Sequence, residues 1–192
     1  MKHSIVSNLS VITPMVLGTN SPLDYRWLLT HQYSLESLGV CTREQEQSLP
    51  VIARIVLSIT VRNCSRVGEI LALTSDKALS GDRVLISATK GSHSYMGFIP
   101  RLSEFVDHNF KGRKGIKLFN YDYSRLATVL RNAEIGIVRS GGRNRKRTHI
   151  GRYLLVDELE NKGFLSYASD LLHHKSEDSL NYYIKNKGGK NG

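Results

Sequence analysis

Covalent staples and membrane anchors are what this sequence has least of. Its 192 residues include two cysteines, four prolines and one tryptophan. Cys41 and Cys64 are too few for a disulfide framework, and no C-x-x-C or H-x-x-x-H spacing suggests structural zinc. The most apolar run, residues 50–61, is interrupted by Arg54, Ser58 and Thr60, too short and too polar to span a bilayer. The first ten residues, MKHSIVSNLS, lack the continuous apolar stretch of a secretory signal. These absences exclude a membrane protein, a secreted mini-protein and a zinc finger, and make a cytoplasmic location the expectation.

Acidic residues are also scarce, and unevenly so. Lys and Arg number 27 against 17 Asp and Glu, a formal charge of +10. All of that excess lies in residues 108–152, where twelve Lys/Arg from Lys111 to Arg152 face only Asp122 and Glu134. The remaining chain is neutral. Such localisation fits a footprint for a polyanion, with a solvated basic face as the plain alternative. The densest piece, Arg139–Arg152, contains Gly141 and Gly142 and reads as a loop. Its Arg139, Arg143, Arg145, Lys146 and Arg147 are the candidate contacts to a nucleic-acid backbone.

Period and punctuation divide the chain into a mainly α protein with a small β-hairpin or sheet (α+β). Residues 1–40 read as an irregular N-terminal segment and 185–192 as a polar, Gly-rich flexible tail, leaving 41–184 as the domain. Thr42 with Gln45 forms a capping pattern, Pro50 opens a second helix, and Ser65 is placed to cap SRVGEILALT. Arg83–Ala88 and Tyr95–Ile99 read as strands about a hairpin tip holding Lys90. LSEFVDHNF, YSRLATVLRNAE and HIGRYLLVDELENK are helical by period, the last stopping at Gly163. Two short helices follow, the second capped by Ser176.

Five separated features then line up: Arg66 with Glu69 three residues on, Lys90, H-x-x-R at His149–Arg152, His174, and Tyr183 nine residues later. Taken singly, each has an ordinary explanation, such as a surface Arg–Glu pair or a core tyrosine. The adjacent His173 and His174 cannot both face one metal from a helix, and no acidic or thiol co-ligands accompany them. In this order and at these intervals the set resembles the catalytic domain of tyrosine recombinases, the phage-integrase family, over about residues 41–184. The resemblance implies that fold and a site-specific DNA recombinase or integrase, an enzyme that cleaves and rejoins DNA through a 3′-phosphotyrosyl intermediate. The roles it implies are Tyr183 as nucleophile, Arg66 and Arg152 on the phosphate oxygens, His149 as base, Lys90 as acid to the 5′ oxygen, His174 on a phosphate oxygen and Glu69 in support. They suit the chemistry, since guanidinium binds phosphate bidentately and a phenol ionises only near pH 10 without help. No metal and no cofactor is implied, and no G-x-x-x-x-G-K-[ST] loop occurs.

The implied partners are double-stranded recombination sites and, on synapsed DNA, three further copies in a tetramer, with a monomer or weak oligomer when free. An accessory DNA-bending protein is admitted, a membrane is not, and a nucleoid association follows if the source is bacterial or phage. Some positions depart from the family pattern: His173 stands where glycine is usual, Gly151 where leucine is usual, and Cys64-Ser65 replaces a small-glycine turn. Forty residues are too few for the usual N-terminal clamp domain. A catalytically inactive, recombinase-like DNA-binding regulator is therefore the alternative. In either case about six phosphate contacts predict that duplex affinity falls on the order of a thousandfold between low and moderate salt. A salt titration by anisotropy checks this, with Arg143, Arg145 and Lys146 jointly replaced by Gln expected to abolish binding.

Overall fold

The computed structural model describes residues 23–87, 93–137, 147–174 and 177–184. Lys90, Arg139, Arg143, Arg145, Lys146 and the capping expectation at Ser176 lie outside them, as do the expected tail and most of the expected N-terminal segment. Among the described residues four helices come first: α1 (Arg26–Leu29), α2 (Arg43–Ser48), α3 (Val51–Arg62) and α4 (Val67–Leu71). A 3-10 turn leads into strands β1 (Ala78–Leu79), β2 (Arg83–Ile86) and β3 (Tyr95–Phe98). Helices α5 (Leu102–Phe110), α6 (Tyr123–Asn132), α7 (Ile150–Asn161) and α8 (Ala168–Leu171) follow, and a 3-10 turn at Glu177–Tyr182 precedes Tyr183. The chain is thus mainly α with a small sheet.

Helix α3 is the centre of packing. Its β-branched run leaves helix and strand open on pattern alone, but Pro50 at the N-cap and twelve residues without a break settle it as helix. Ile52, Ala53, Ile55, Val56, Leu57, Ser58, Ile59 and Thr60 are all buried, so it is covered nearly all round. Its two buried hydroxyls are satisfied: Ser58 donates to the Tyr33 carbonyl at 2.9 Å and Thr60 to the Val56 carbonyl at 2.6 Å. Each large aliphatic side chain so buried contributes about 1.5–3 kcal/mol. Tyr25, Leu28 and Leu35, which precede residue 41, join this same core. The Tyr25 hydroxyl donates to the Leu118 carbonyl at 2.9 Å.

The sheet is antiparallel in the order β1-β2-β3, with Val84 opposite Gly97 and Ile86 opposite Tyr95. Those four face the core, while Leu85 and Met96 face outward. The Asn63 side chain at the end of α3 accepts from Phe98 N–H at 2.8 Å and donates to its carbonyl at 3.0 Å, fastening β3 to the helix. Three expectations need correction. A third strand, only two residues long, carries too little alternation to be seen in advance. The last short helix is a 3-10 turn. The cap of α4 is Arg66 rather than Ser65, because the Glu69 carboxylate accepts from the Arg66 N–H at 2.8 Å. The capping box of Thr42 and Gln45 forms as expected. No helix among the described residues is long and apolar enough to cross a membrane.

A second, smaller core joins α7 and α8 through Tyr153, Val156, Ala168, Leu172 and Tyr183. Helix α7 reaches α3 at Gly151, where a Cβ would lie 2.7 Å from Val61 Cα and 2.9 Å from the Thr60 carbonyl oxygen. Both obstacles are backbone, so no rotamer change relieves them. Gly151→Ala is therefore expected to destabilise the chain by about 1–3 kcal/mol, read as a lower midpoint in urea.

Candidate active site

Four segments supply the site. Arg66 and Glu69 come from the start of α4, His149 and Arg152 from the start of α7, His174 from the turn after α8, and Tyr183 from the end of the last 3-10 turn. The first two segments are joined by the Val67 N–H donating to the Thr148 carbonyl at 3.2 Å. Glu69 is buried and binds both arginines: Arg66 Nη1 lies 2.8 Å from Oε1 and Arg152 Nη2 lies 3.6 Å from Oε2. Arg152 is itself fully buried. Its Nη1 lies 3.1 Å from His174 Nε2. A guanidinium only donates, so Nε2 is the acceptor and the His174 proton sits on Nδ1.

That assignment exposes an imbalance. Arg152 Nε and His174 Nδ1 are buried donors with no hydrogen-bond acceptor among the described residues, and Arg152 Nη2 has only its longer ion pair with Glu69. Leaving such a group unpaired costs about 1–3 kcal/mol. An oxyanion bound here would supply the missing acceptors.

Of the two neighbouring tyrosines, Tyr182 is 58% exposed and Tyr183 only 3%. The Tyr183 hydroxyl lies 3.1 Å from His149 Nδ1, and its ring stacks against His149 and His174 at centroid distances of 5.9 and 5.6 Å. Burial pushes the phenol up from its ordinary range, while Arg152 and Arg66 pull in the opposite direction. Cys64, also near Arg152, is held at about 11 by burial and is no thiolate nucleophile.

Beside His149 opens a cavity of about 240 Å³, lined by Arg131, Arg147, Thr148, Tyr153 and Tyr182 among others. Two arginines give it a positive rim. Compared with the models of known protein families and with curated proteins, the chain matches none.

The structure thus brings together Arg66, Glu69, His149, Arg152, His174 and Tyr183, and places Arg147 at the cavity. Among the described residues no group of His, Cys, Asp or Glu is arranged to hold a metal ion. Two further participants, Tyr95 and His173, have no role in the site as expected from the sequence. The Tyr95 hydroxyl lies 2.7 Å from Ser65 Oγ and 3.3 Å from Glu69 Oε2. The His173 ring stacks on Tyr95 at 3.9 Å and 17°. Strand alternation signals that Tyr95 points inward, but nothing local signals its partners. The paired histidines do separate work, as their adjacency requires.

Burial, and then Arg152, hold the His174 imidazole down to about 4 from an ordinary 6.5. Between those values the unfolded chain takes up a proton that the folded chain refuses. The stability at stake is complete above pH 6.5 and is lost as pH falls toward 4. Thermal melts between about pH 7 and about pH 4.5 should show a steeper decline for the parent than for His174→Gln, whose side chain does not titrate.

Proposed function

We propose that the chain is a site-specific DNA recombinase of the tyrosine type, with its catalytic-domain fold over residues 41–184. The observation that carries this reading is the group of acceptor-less buried donors on Arg152 and His174, next to a tyrosine whose hydroxyl already meets a base. Donors of that kind await an oxyanion, and a phosphodiester provides two non-bridging oxygens. Tyr183 oxygen then bonds to phosphorus, its proton passes to His149, and the bond from phosphorus to the 5′ oxygen breaks. Lys90, assigned from the sequence resemblance, returns a proton to that oxygen. The phosphotyrosine keeps the bond energy, so the reverse attack by a 5′ hydroxyl rejoins the strand without a high-energy cofactor.

Double-stranded recombination sites, gathered in a synaptic tetramer, are the partners this reading calls for. The basic residues 108–152 grip the backbone. The deep burial of Tyr183 favours a second reading, a DNA-binding regulator that does not cut. The two separate on a nicked suicide duplex built from the DNA flanking the coding region. A protease-sensitive covalent adduct is expected, lost in Tyr183→Phe, retained in Tyr182→Phe, and formed ~100-fold or more slowly in Arg66→Ala and Arg152→Ala. Tight binding with no adduct favours the regulator. An adduct that survives Tyr183→Phe sinks the recombinase mechanism as written.

A further inference from the structure

We propose that His173 and Tyr95 form a positioning clamp that holds His174 and, through Glu69, Arg152 in register for phosphate chemistry; the proposal rests on the recombinase reading. His173 sits at φ +56°, in the left-handed region where a side chain is penalised and glycine is not. A side chain retained there, one residue from the site, needs compensation.

Two contacts supply it. The imidazole lies almost flat on the Tyr95 ring, with centroids 3.9 Å apart. The His173 carbonyl also accepts from the His93 N–H at 2.8 Å. The approach to β3 is therefore tied to the His173–His174 turn twice, once by side chain and once by backbone.

From Tyr95 the connection continues inward. Its hydroxyl reaches Glu69 Oε2 at 3.3 Å, Glu69 pairs with Arg152 at 3.6 Å, and Arg152 meets His174 Nε2 at 3.1 Å. The path that begins at His173 returns to the next residue in the chain. A closed circuit of this kind restrains each member from two sides, whereas an open chain of the same contacts leaves one end free. His173 touches no reacting atom in this scheme. It acts through His174 and Arg152 as a positioning residue.

Glycine and phenylalanine at position 173 separate this role from simple packing. Glycine suits the left-handed backbone and removes the ring; phenylalanine keeps a stacking ring without imidazole chemistry. Single-turnover cleavage of the suicide duplex, duplex affinity and hydrogen exchange at the His93 amide are measured on both variants. In His173→Gly, cleavage should slow ~10-fold to 100-fold and the His93 amide exchange ~10-fold faster, with affinity within about twofold of the parent. His173→Phe should recover most of both losses. A parental cleavage rate or unchanged His93 exchange in His173→Gly overturns the clamp, and so does a His173→Phe variant as impaired as His173→Gly. If the parent itself forms no adduct, the recombinase reading has failed separately. Exchange at His93 then decides the clamp alone: faster in His173→Gly and restored in His173→Phe upholds it, and any other pattern overturns it.

Discussion

One buried carboxylate carries the electrostatics of this chain. Glu69 has no exposed side-chain surface, yet it faces two guanidinium groups, one of which is also fully buried. Desolvating each of these ions carries an effective penalty of several kcal/mol, and a single negative charge offsets only part of two positive ones. The interior near α4 and α7 is left with surplus positive charge. That surplus, added to burial, holds the neighbouring imidazole of His174 neutral, and it opposes the upward push of burial on Tyr183. The same carboxylate accepts the first free N–H of α4 at Arg66. Helix start and counter-ion are thus one residue, so loss of this carboxylate would both shift the charge balance and loosen the helix that presents Arg66.

Close packing gives that carboxylate its second partner. Arg152 stands one residue after Gly151, whose missing Cβ lets α7 lie directly on the Thr60–Val61 backbone. The hydrogen bond from Val67 to Thr148 draws the start of α4 to the same place. Leucine, the residue expected at position 151 from the family pattern, would force these helices apart. Glycine here thus serves the close contact between α3 and α7. It bears on where Arg152 sits, and leaves its chemistry alone.

How much of this was legible in the sequence depends on the range of the interaction. The capping box at Thr42, the span of α3, the stop at Gly163 and the inward alternation of β2 and β3 are local, and period and punctuation reveal them. The two-residue β1 is invisible because pairing with β2, and not its own pattern, makes it a strand. Ser65 is misread for a related reason: local spacing makes it a cap, but its hydroxyl is taken by Tyr95, thirty residues away. Arg66, Glu69, His149, Arg152, His174 and Tyr183 were named from their order along the chain. Their convergence depends on contacts between helices that no single segment encodes. The stack of His173 on Tyr95 was out of reach, because the two rings lie far apart along the chain and neither segment alone encodes the contact.

The resting geometry also bears on how the proposed reaction must move its proton. Burial already disfavours the Tyr183 phenolate, and an arriving phosphodiester adds negative charge beside it while occupying the arginines that oppose that effect. Ionisation ahead of attack becomes harder once the substrate is bound. The proton must therefore leave as the bond to phosphorus forms, to a base within hydrogen-bond reach. His149 Nδ1 at 3.1 Å meets that requirement, and His174 does not, because its Nε2 accepts from Arg152 and its Nδ1 carries the remaining proton. In the proposed reaction the two histidines flanking the tyrosine ring therefore divide into an acceptor for the Tyr183 proton and a donor for the phosphate.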